Sequence, residues 1–358
     1  MPNMDARVRA LLRRGAVSPD AARFLQVLVD KNATQDAVVS AIDSAFGTLY
    51  GDGRDGSMVF YDDWFAVDGP KQYTTVEATE CMVTPTLGAP FPLDIAATVS
   101  ITIGEGATFC TKGWNGNSGE GSSPGTGGEG GAGGGDGQAG AAGTSTTDGL
   151  SLGSLSAISY TSLDGSTYSQ PSNGGYGGAG SGGDGGASGS DGGGSYAVNP
   201  IDTILRRLPL QHVVAPGGFG GGAGAGDGES GGGAGGGGGA GGGLQVYRSP
   251  LIVIRSGAVL DNSGGNGGNG ANSPYPLTGA GGAGGGGWAG ITAFICETLV
   301  TPDETWVHQI GGTGGVGGSA GEGGGTAGAN GSDGENGFAI WYKPSTRELT
   351  ILTIPESP

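Results

Sequence analysis

Apolar side chains are confined to short segments of this chain, and the spacing between them changes along it. From residue 18 to residue 47 they recur every three or four positions, which is typical of amphipathic helices. Ser18 suits the start of one helix, and Gly47 suits the end of a second. The pattern predicts a small α-helical module over residues 1–50. Its apolar faces would hold Phe24, Leu25, Leu28, Val38, Ile42 and Phe46.

The spacing changes to that of strands after residues 51–56, which have the composition of a turn, Gly-Asp-Gly-Arg-Asp-Gly. Residues 98–103 alternate between apolar and polar positions, as expected for a half-buried strand. The apolar residues that would share one face are Val99, Ile101 and Ile103. Residues 51–115 are therefore predicted to form a β domain.

Glycine dominates the remainder of the chain, with 87 glycines in the whole sequence. Short apolar segments typical of strands separate the glycine tracts. The last three tracts begin at Gly217, Gly264 and Gly311, so they recur about every 47 residues, as a structural repeat would. Residues 116–358 are predicted to form a repeat body in which glycine tracts alternate with strands or hairpins. The tracts cover residues 116–143, 174–194, 217–243, 264–290 and 311–337.

Within several tracts glycine recurs at every third position, as it does from Gly325 to Gly337. Three residues per turn is the pitch of an extended polyproline-II-type helix, which has no internal hydrogen bonds. Its N–H and C=O groups must bond to water or to neighbouring rods, and glycine lets the backbones of such rods approach closely. The predicted fold class is therefore mainly β, with polyglycine-II-like tracts and the small helical module.

Three other interpretations of the glycine tracts were weighed. Flexible linkers remain an alternative for part of the glycine-rich sequence, although linkers require no period of three. Collagen is disfavoured because proline is nearly absent from the tracts and the triplet frame slips. A calcium-binding β-roll is disfavoured because its Gly-Gly-x-Gly-x-Asp nonapeptides do not occur.

The charge balance excludes some classes of partner. The chain has 15 basic and 33 acidic side chains, a net charge of −18, so it repels nucleic-acid phosphates and anionic membranes. Neither nucleic-acid binding nor membrane insertion is expected, and no signal peptide or membrane-spanning apolar stretch is apparent. Cys81, Cys110 and Cys296 are far apart in sequence, which suggests buried, reduced thiols.

No constellation of residues predicts catalysis. His212 and His308 each lie in an apolar segment without a nearby cysteine or histidine, so a structural role is expected. Asp62 and Asp63 beside Trp64 are interpreted as a solvated turn. The acidic residues of the tracts, such as Asp136 and Asp333, are expected to keep the rods hydrated. The chain is therefore expected to be no enzyme and to need neither cofactor nor metal.

Several stretches resemble the glycine-rich fibre and adhesin proteins of tailed bacteriophages. They are the Leu-Ile-Val-Ile-Arg run and the Asn-Gly-rich tract after it at 251–270, the turn at 51–56, the Thr-Lys-Gly-Trp-Asn-Gly segment at 111–116 and the Gly-Glu-Asn-Gly-Phe-Ala-Ile-Trp-Tyr segment at 334–342. In phage long-tail-fibre adhesins, glycine-rich motifs form a polyglycine-II sandwich, and the loops between motifs bind the host surface. This chain differs in its N-terminal region and its longer apolar segments.

The resemblance implies a virion structural protein, assembled in the host cytoplasm, that projects from the particle and contacts a host-surface glycan or protein. Other virion proteins would bind its N-terminal segment, and a homotrimer is the family expectation. A capsid head fibre or decoration protein with a structural role is the alternative, and a bacterial surface or matrix protein is a third. The candidates for receptor contact are aromatic residues near tract ends, Tyr168, Tyr176, Tyr275 and Trp288.

Overall fold

The fold is described by a computed structural model, and the described residues contain strands and no helix. The mainly β prediction fits this result, whereas the mixed class with a small helical module is corrected to all β. Apolar spacing is a local signal, and short helices depend on tertiary packing that such a signal does not supply. The predicted helices fall in residues 1–49, which lie outside the described residues. The structure describes residues 50–86, 93–131, 134, 136–143, 160–161, 167–168, 217, 220–225, 230–303, 306–323, 325–346 and 348–352.

Sixteen strands make up the regular structure of the described residues. In chain order they are β1 Met58–Tyr61, β2 Trp64–Val67, β3 Lys71–Thr79, β4 Met82–Pro85, β5 Leu93–Ile103, β6 Thr108–Cys110, β7 Tyr160–Thr161, β8 Thr167–Tyr168, β9 Leu244–Arg248, β10 Leu251–Ile254, β11 Val259–Asp261, β12 Ile291–Ile295, β13 Thr298–Val300, β14 Val307–His308, β15 Phe338–Lys343 and β16 Glu348–Leu352.

Fourteen of these strands form a solenoid of two facing sheets, in which every pair is parallel except that of β15 with β16. β7 and β8 pair only with each other. The first sheet runs β1-β3-β5-β9-β12-β15-β16, with β10 beside β5 and β13 beside β10. The second runs β14-β11-β6-β4-β2. Each turn of the solenoid, here called a rung, crosses the first sheet, passes a corner and crosses the second. Strands from before residue 115 and after residue 243 therefore share the same two sheets.

Successive rungs stack in register with a constant offset in the C-terminal half. Leu244 pairs with Ile291, and Ile291 pairs with Phe338, so each step is 47 residues. The same offset holds in the second sheet, where Leu260 pairs with Val307. The 47-residue spacing of the glycine tracts is therefore the length of one rung.

The main hydrophobic core lies between the two sheets. The ring of Phe60 meets those of Phe65, Tyr73 and Phe109 edge-on, with centroids 5.0, 6.4 and 6.3 Å away. Aromatic residues supply much of the apolar area that glycine tracts lack. The rungs are thus held together by side chains at the sheets and by backbone elsewhere.

The prediction that the apolar residues of 98–103 share one buried face is only partly correct for this part of β5. Ile101 and Ile103 are fully buried, but Val99 is 54% exposed. The pairing of β3 with β5 shifts between Tyr73 and Thr75, and this irregularity breaks the alternation. A bulge of this kind depends on the neighbouring strand, so the alternation of β5 alone does not reveal it.

The other face of the first sheet carries a smaller apolar cluster, in which Leu244, Ile291 and Ile340 are at most 3% exposed. Beside it Arg248 forms a bidentate ion pair with Asp94, with Nη2 within 2.6 Å of both carboxylate oxygens. This pair connects β5 to β9 across the large insertion between them. A bidentate pair of this kind fixes geometry as well as charge.

The glycine tracts leave the second sheet, extend outward as rods and return to the first sheet. Their hydrogen bonds recur every third residue: the N–H groups of Gly125, Gly128 and Gly131 donate to the carbonyls of Gly235, Gly238 and Gly241. A β-ladder repeats every two residues, whereas three residues is the period of a polyproline-II helix. At about 3.1 Å per residue, the rod 279–290 extends roughly 35 Å.

Within the described residues, nine rods pack in three layers. Rods within a layer run parallel, and adjacent layers run in opposite directions. The central rod, 231–243, exchanges backbone hydrogen bonds with six neighbours and consists only of glycine and alanine. The outward layer contains 111–119, 262–273 and 309–321, the returning layer contains 123–131, 231–243, 279–290 and 325–337, and the second outward layer contains 136–143 and 220–225.

Candidate functional site

The rods reverse direction at the end of the molecule farthest from the sheets, and the turns there form the candidate site. The rod 262–273 passes into 279–290 through residues 273–278, here called the distal turn. Next to it, 309–321 passes into 325–337 through Glu322 and Gly323. Ser273 N–H donates to the Ser319 carbonyl at 3.0 Å, so these two reversals lie side by side.

Hydroxyl groups hold the distal turn in one conformation. Ser273 Oγ lies within hydrogen-bond distance of three oxygens: the Tyr275 carbonyl at 2.7 Å, the Thr278 carbonyl at 2.8 Å and Thr278 Oγ1 at 2.6 Å. Its single proton can be donated to any one of them. Thr278 Oγ1 in turn donates to the Tyr275 carbonyl at 3.0 Å. Side-chain hydroxyls that bond nearby backbone groups stabilise turns in this way. The loop is therefore ordered without an apolar core of its own.

The distal turn presents two large apolar side chains to solvent. Tyr275 is 50% exposed and Leu277 is 41% exposed. Leu277 has φ of 71°, in the left-handed region that a branched side chain rarely adopts. Its N–H donates to the Glu322 carbonyl at 3.1 Å, and its side chain lies against Gly323. A strained residue held in an exposed loop is typical of a surface shaped for contact.

A further turn lies at the same end. Glu120 and Ser123 form an isolated antiparallel bridge that reverses the first outward rod. The Gly121 carbonyl accepts from Ala234 N–H at 2.8 Å, and the Ser122 carbonyl accepts from Gly143 N–H at 3.0 Å. Several loops are thus displayed together on a backbone-packed base, and loops on a rigid scaffold commonly carry binding or catalytic residues.

Side-chain oxygens complete the hydrogen bonding of the outermost rods. Oδ1 atoms of Asn266, Asn269 and Asn272 accept from the backbone N–H groups of residues 313, 316 and 319, at 2.8–2.9 Å. These asparagines recur every three residues, and each bonds a residue 47 positions later. We call this row the asparagine ladder.

A second row bonds the same rod from its other side. Asn330, Asp333 and Asn336 accept from Gly317, Gly314 and Gly311 at 2.8–2.9 Å. Asp136 similarly accepts from Gly130 N–H at 2.7 Å. Some tract acids therefore do more than hydrate the rods. The three-residue spacing of asparagine and aspartate was the signal that could have revealed these rows.

The predicted contact residues have different positions. Tyr275 lies in the distal turn, as described above. Trp288 is 4% exposed, so its proposal as a surface contact is corrected: it is packed near the base of the returning rod 279–290. Tyr168 is in strand β8, where it pairs with Tyr160. Tyr176 lies outside the described residues, as do the predicted anchor residues Phe24, Leu25, Leu28, Val38, Ile42 and Phe46.

Buried amide side chains hold the junction between rods and sheets. Gln245 Nε2 donates to the Phe109 carbonyl at 3.0 Å. Asn262 Nδ2 and Gln309 Nε2 both donate to Thr292 Oγ1, at 3.1 and 3.2 Å. All four polar side chains are at most 4% exposed. Their contacts join successive rungs, so their role is structural.

The three cysteine thiols lie among the described residues, and the pKa of each is raised. Burial raises the pKa of the Cys296 thiol to about 12, and burial also raises the pKa values of Cys81 and Cys110. Such thiols are protonated at neutral pH and are poor nucleophiles. Within the described ranges, no group of three or more histidine, cysteine, aspartate or glutamate residues is placed to hold a metal ion.

The part of the chain that the structure describes has no helix with the length and hydropathy needed to cross a membrane. Comparison of the chain with protein-family models, with curated proteins and with solved structures finds no match. Functional inference therefore depends on the arrangement of rods and turns.

Proposed function

We propose that this chain is a non-enzymatic fibre or adhesin protein of a bacteriophage virion, and that its distal turns contact the host surface. The observation that carries the proposal is the display of Tyr275 and Leu277 at the end of a bundle of glycine rods, farthest from the sheets. Backbone-packed rods give the turns a rigid support. A rigid support lowers the entropy lost when a loop binds its ligand.

The course of the chain gives the molecule a polarity that supports this role. Tyr50 and Gly51 precede the first rung, and Gly51 lies against Gln72 and Ala96 of the first sheet. The chain therefore enters the described body at the sheets, whereas the distal turns lie at the far ends of the rods. In the proposal, residues 1–49 attach to other virion proteins, and the turns point away from the particle.

Competition for adsorption tests the proposal. Host cells incubated with the purified protein should adsorb less of the phage that encodes it, because the distal turns occupy the receptor. Tyr275→Ala should reduce this inhibition about tenfold or more, since an aromatic anchor often contributes at least 1–2 kcal/mol to binding. The measurement is the fraction of phage left unadsorbed at increasing protein concentration.

Trp114→Ala is the matched control. Trp114 is 59% exposed but belongs to the first outward rod, near the sheets, so its loss should leave inhibition unchanged. If the wild-type protein leaves phage adsorption unchanged even at saturating concentration, host contact is excluded. Immunogold labelling of the capsid in that case would support the alternative, a head fibre or decoration protein.

A further inference from the structure

Five asparagines of the described rods are followed directly by glycine, and all five are exposed to solvent. Asparagine is among the thermolabile residues of proteins, and a following glycine gives no steric protection because it has no Cβ. In such a pair the glycine nitrogen can attack Cγ, the carbonyl carbon of the asparagine side chain. Sequence and exposure together mark these pairs as sites of deamidation. The asparagines are Asn115, Asn266, Asn269, Asn330 and Asn336.

Deamidation of an Asn-Gly pair proceeds in two steps. The glycine N–H loses its proton, its nitrogen forms a bond to Cγ and the Cγ–Nδ2 bond breaks, so a cyclic succinimide forms and ammonia leaves. Water then opens the succinimide at either carbonyl and leaves aspartate or isoaspartate. Isoaspartate routes the main chain through Cβ and Cγ, which adds an atom to the backbone. This extra atom would disrupt the three-residue period on which the hydrogen bonds of a rod depend.

In the rods, both reacting groups are already hydrogen-bonded to a neighbouring rod. Asn269 Oδ1 accepts from Val316 N–H at 2.8 Å, while Gly270 N–H donates to the carbonyl of the same residue, Val316, at 3.0 Å. The pair at 266–267 holds Thr313 in the same way, at 2.9 and 2.8 Å. We call this arrangement a two-point clamp. It engages the attacking nitrogen and the attacked carboxamide at once.

The remaining pairs have both groups bonded as well. Asn115 Oδ1 accepts from Asn266 N–H at 2.8 Å, and Gly116 N–H donates to the Asn266 carbonyl, also at 2.8 Å. In the pairs at 330–331 and 336–337, the asparagine accepts from one residue of the adjacent outward rod and the glycine donates to another. Every Asn-Gly pair among the described residues therefore has its glycine N–H occupied.

We infer that these five Asn-Gly pairs are latent deamidation sites, which the rod bundle keeps unreacted while it is closed. To react, the glycine must give up its hydrogen bond, and the carboxamide must turn from its donor toward the glycine nitrogen. Both movements require the rod to separate from its neighbour, because that neighbour holds each group. The sites therefore become reactive only where a rod opens. The inference does not depend on what the distal turns bind.

Peptide mapping of the full-length chain by mass spectrometry tests the inference without any substitution. The wild-type protein is incubated at mildly alkaline pH in buffer and in guanidinium chloride, and aspartate and isoaspartate are measured at each pair. Deamidation of the folded protein should be about a hundredfold slower than that of the denatured protein, because it requires local opening of a rod. Similar rates in the two conditions would overturn the inference.

Two proline substitutions test the clamp itself. Val316→Pro removes the N–H from which Asn269 Oδ1 accepts, and proline suits the extended backbone of a rod. It should raise deamidation at Asn269 about tenfold, the effect of losing one hydrogen bond, and leave Asn266 unchanged. Thr313→Pro is the matched control, since it should raise deamidation at Asn266 and not at Asn269. If variants that are folded by circular dichroism affect both asparagines equally, or neither, the inference is overturned.

Discussion

Glycine at every third position is required by contact as well as by conformation. At Gly315 a Cβ atom would lie inside van der Waals contact with the Gly268 carbonyl oxygen, and at Gly284 with that of Gly237. The backbone φ at these sites is not left-handed, so the restriction is steric. The glycines with positive φ, such as Gly106 and Gly257, lie instead at solenoid corners.

The substitution Gly315→Ala should lower the free energy of unfolding by about 1–3 kcal/mol, the range for overpacked interiors. The added methyl group would push the rod 309–321 away from 262–273 and weaken the bond from Gly315 N–H to the Gly284 carbonyl. Chemical denaturation measures the loss. The neighbouring Val316→Ala, at a 61% exposed site, should change stability by less than about 0.5 kcal/mol.

Equal loss from the two substitutions would show that the close approach at Gly315 carries no particular energy. At this scale the sequence was informative: the triplet phase identified which glycines face a neighbour. It did not identify the neighbour. Positions 268, 284 and 331 approach Gly315, and only the folded register brings them together.

In each rod, the two residues that follow each glycine of the three-residue period reflect how much of the rod is exposed to solvent. The central rod 231–243 has glycine or alanine at all positions and is surrounded on six sides. The rod 309–321 has one exposed residue in three, such as Thr313 and Val316. In the outermost rod, 325–337, two residues in every three are exposed, and Asn330 and Asp333 are among them. Composition therefore reports how many sides of a rod face water.

The asparagine ladder lies at the edge of the rod bundle. Its Oδ1 atoms accept from N–H groups of the rod 309–321 that point away from the neighbouring rods. Asn269→Ala should lower the free energy of unfolding by about 1 kcal/mol, the usual value of one hydrogen bond. Val316 N–H would then lose its 2.8 Å acceptor. Thermal unfolding measures the change.

Asn269→Asp serves as the control, since aspartate keeps an Oδ1 acceptor at the same position. It should unfold within about 0.5 kcal/mol of wild type. If both variants lose the same stability, the carboxamide contributes through something other than this acceptor. Hydrogen exchange at the Val316 amide would distinguish the two cases.

In the C-terminal half, the apolar segments indicated where strands lie but not which strands pair. The segments between and after the glycine tracts were expected to form strands or hairpins, and β15 and β16 form a hairpin. The segments after Gly290 allowed the same two interpretations. There β12 lies in the first sheet and β14 in the second, because a corner separates them. The choice between hairpin and rung depends on partners that lie 47 residues away.

At the scale of the whole molecule, rods and strands share one repeat. Gly237, Gly284 and Gly331 lie in successive returning rods at 47-residue intervals, just as Leu244, Ile291 and Phe338 do in the first sheet. Both regions are joined by backbone N–H to C=O bonds, so the separation between neighbouring chains is similar in each. A single rung can therefore be half sheet and half glycine rod without strain between the halves.

Removal of one complete rung should leave a folded protein. Deletion of residues 264–310 joins Ser263 to Gly311 and stacks β15 on β9 in the register that β12 occupied. The variant should retain a cooperative unfolding transition and slow amide exchange in the remaining rods. Deletion of residues 266–310 removes two residues fewer than one full rung. It therefore shifts the registers of the sheet and of the rods, and should unfold the C-terminal rungs. Loss of cooperativity in both deletions would show that the rungs are not interchangeable.

The glycine lattice buries peptide groups far more than hydrocarbon, and this affects how stability varies with temperature. On unfolding, newly hydrated apolar surface raises the heat capacity by about 0.45 cal/mol/K per Å², whereas polar surface lowers it by about 0.26. The rods, such as 231–243, release mainly polar backbone. The heat-capacity increment per residue is therefore small, and the free-energy curve is broad and shallow. The described body is therefore expected to stay folded in both cold and warm surroundings.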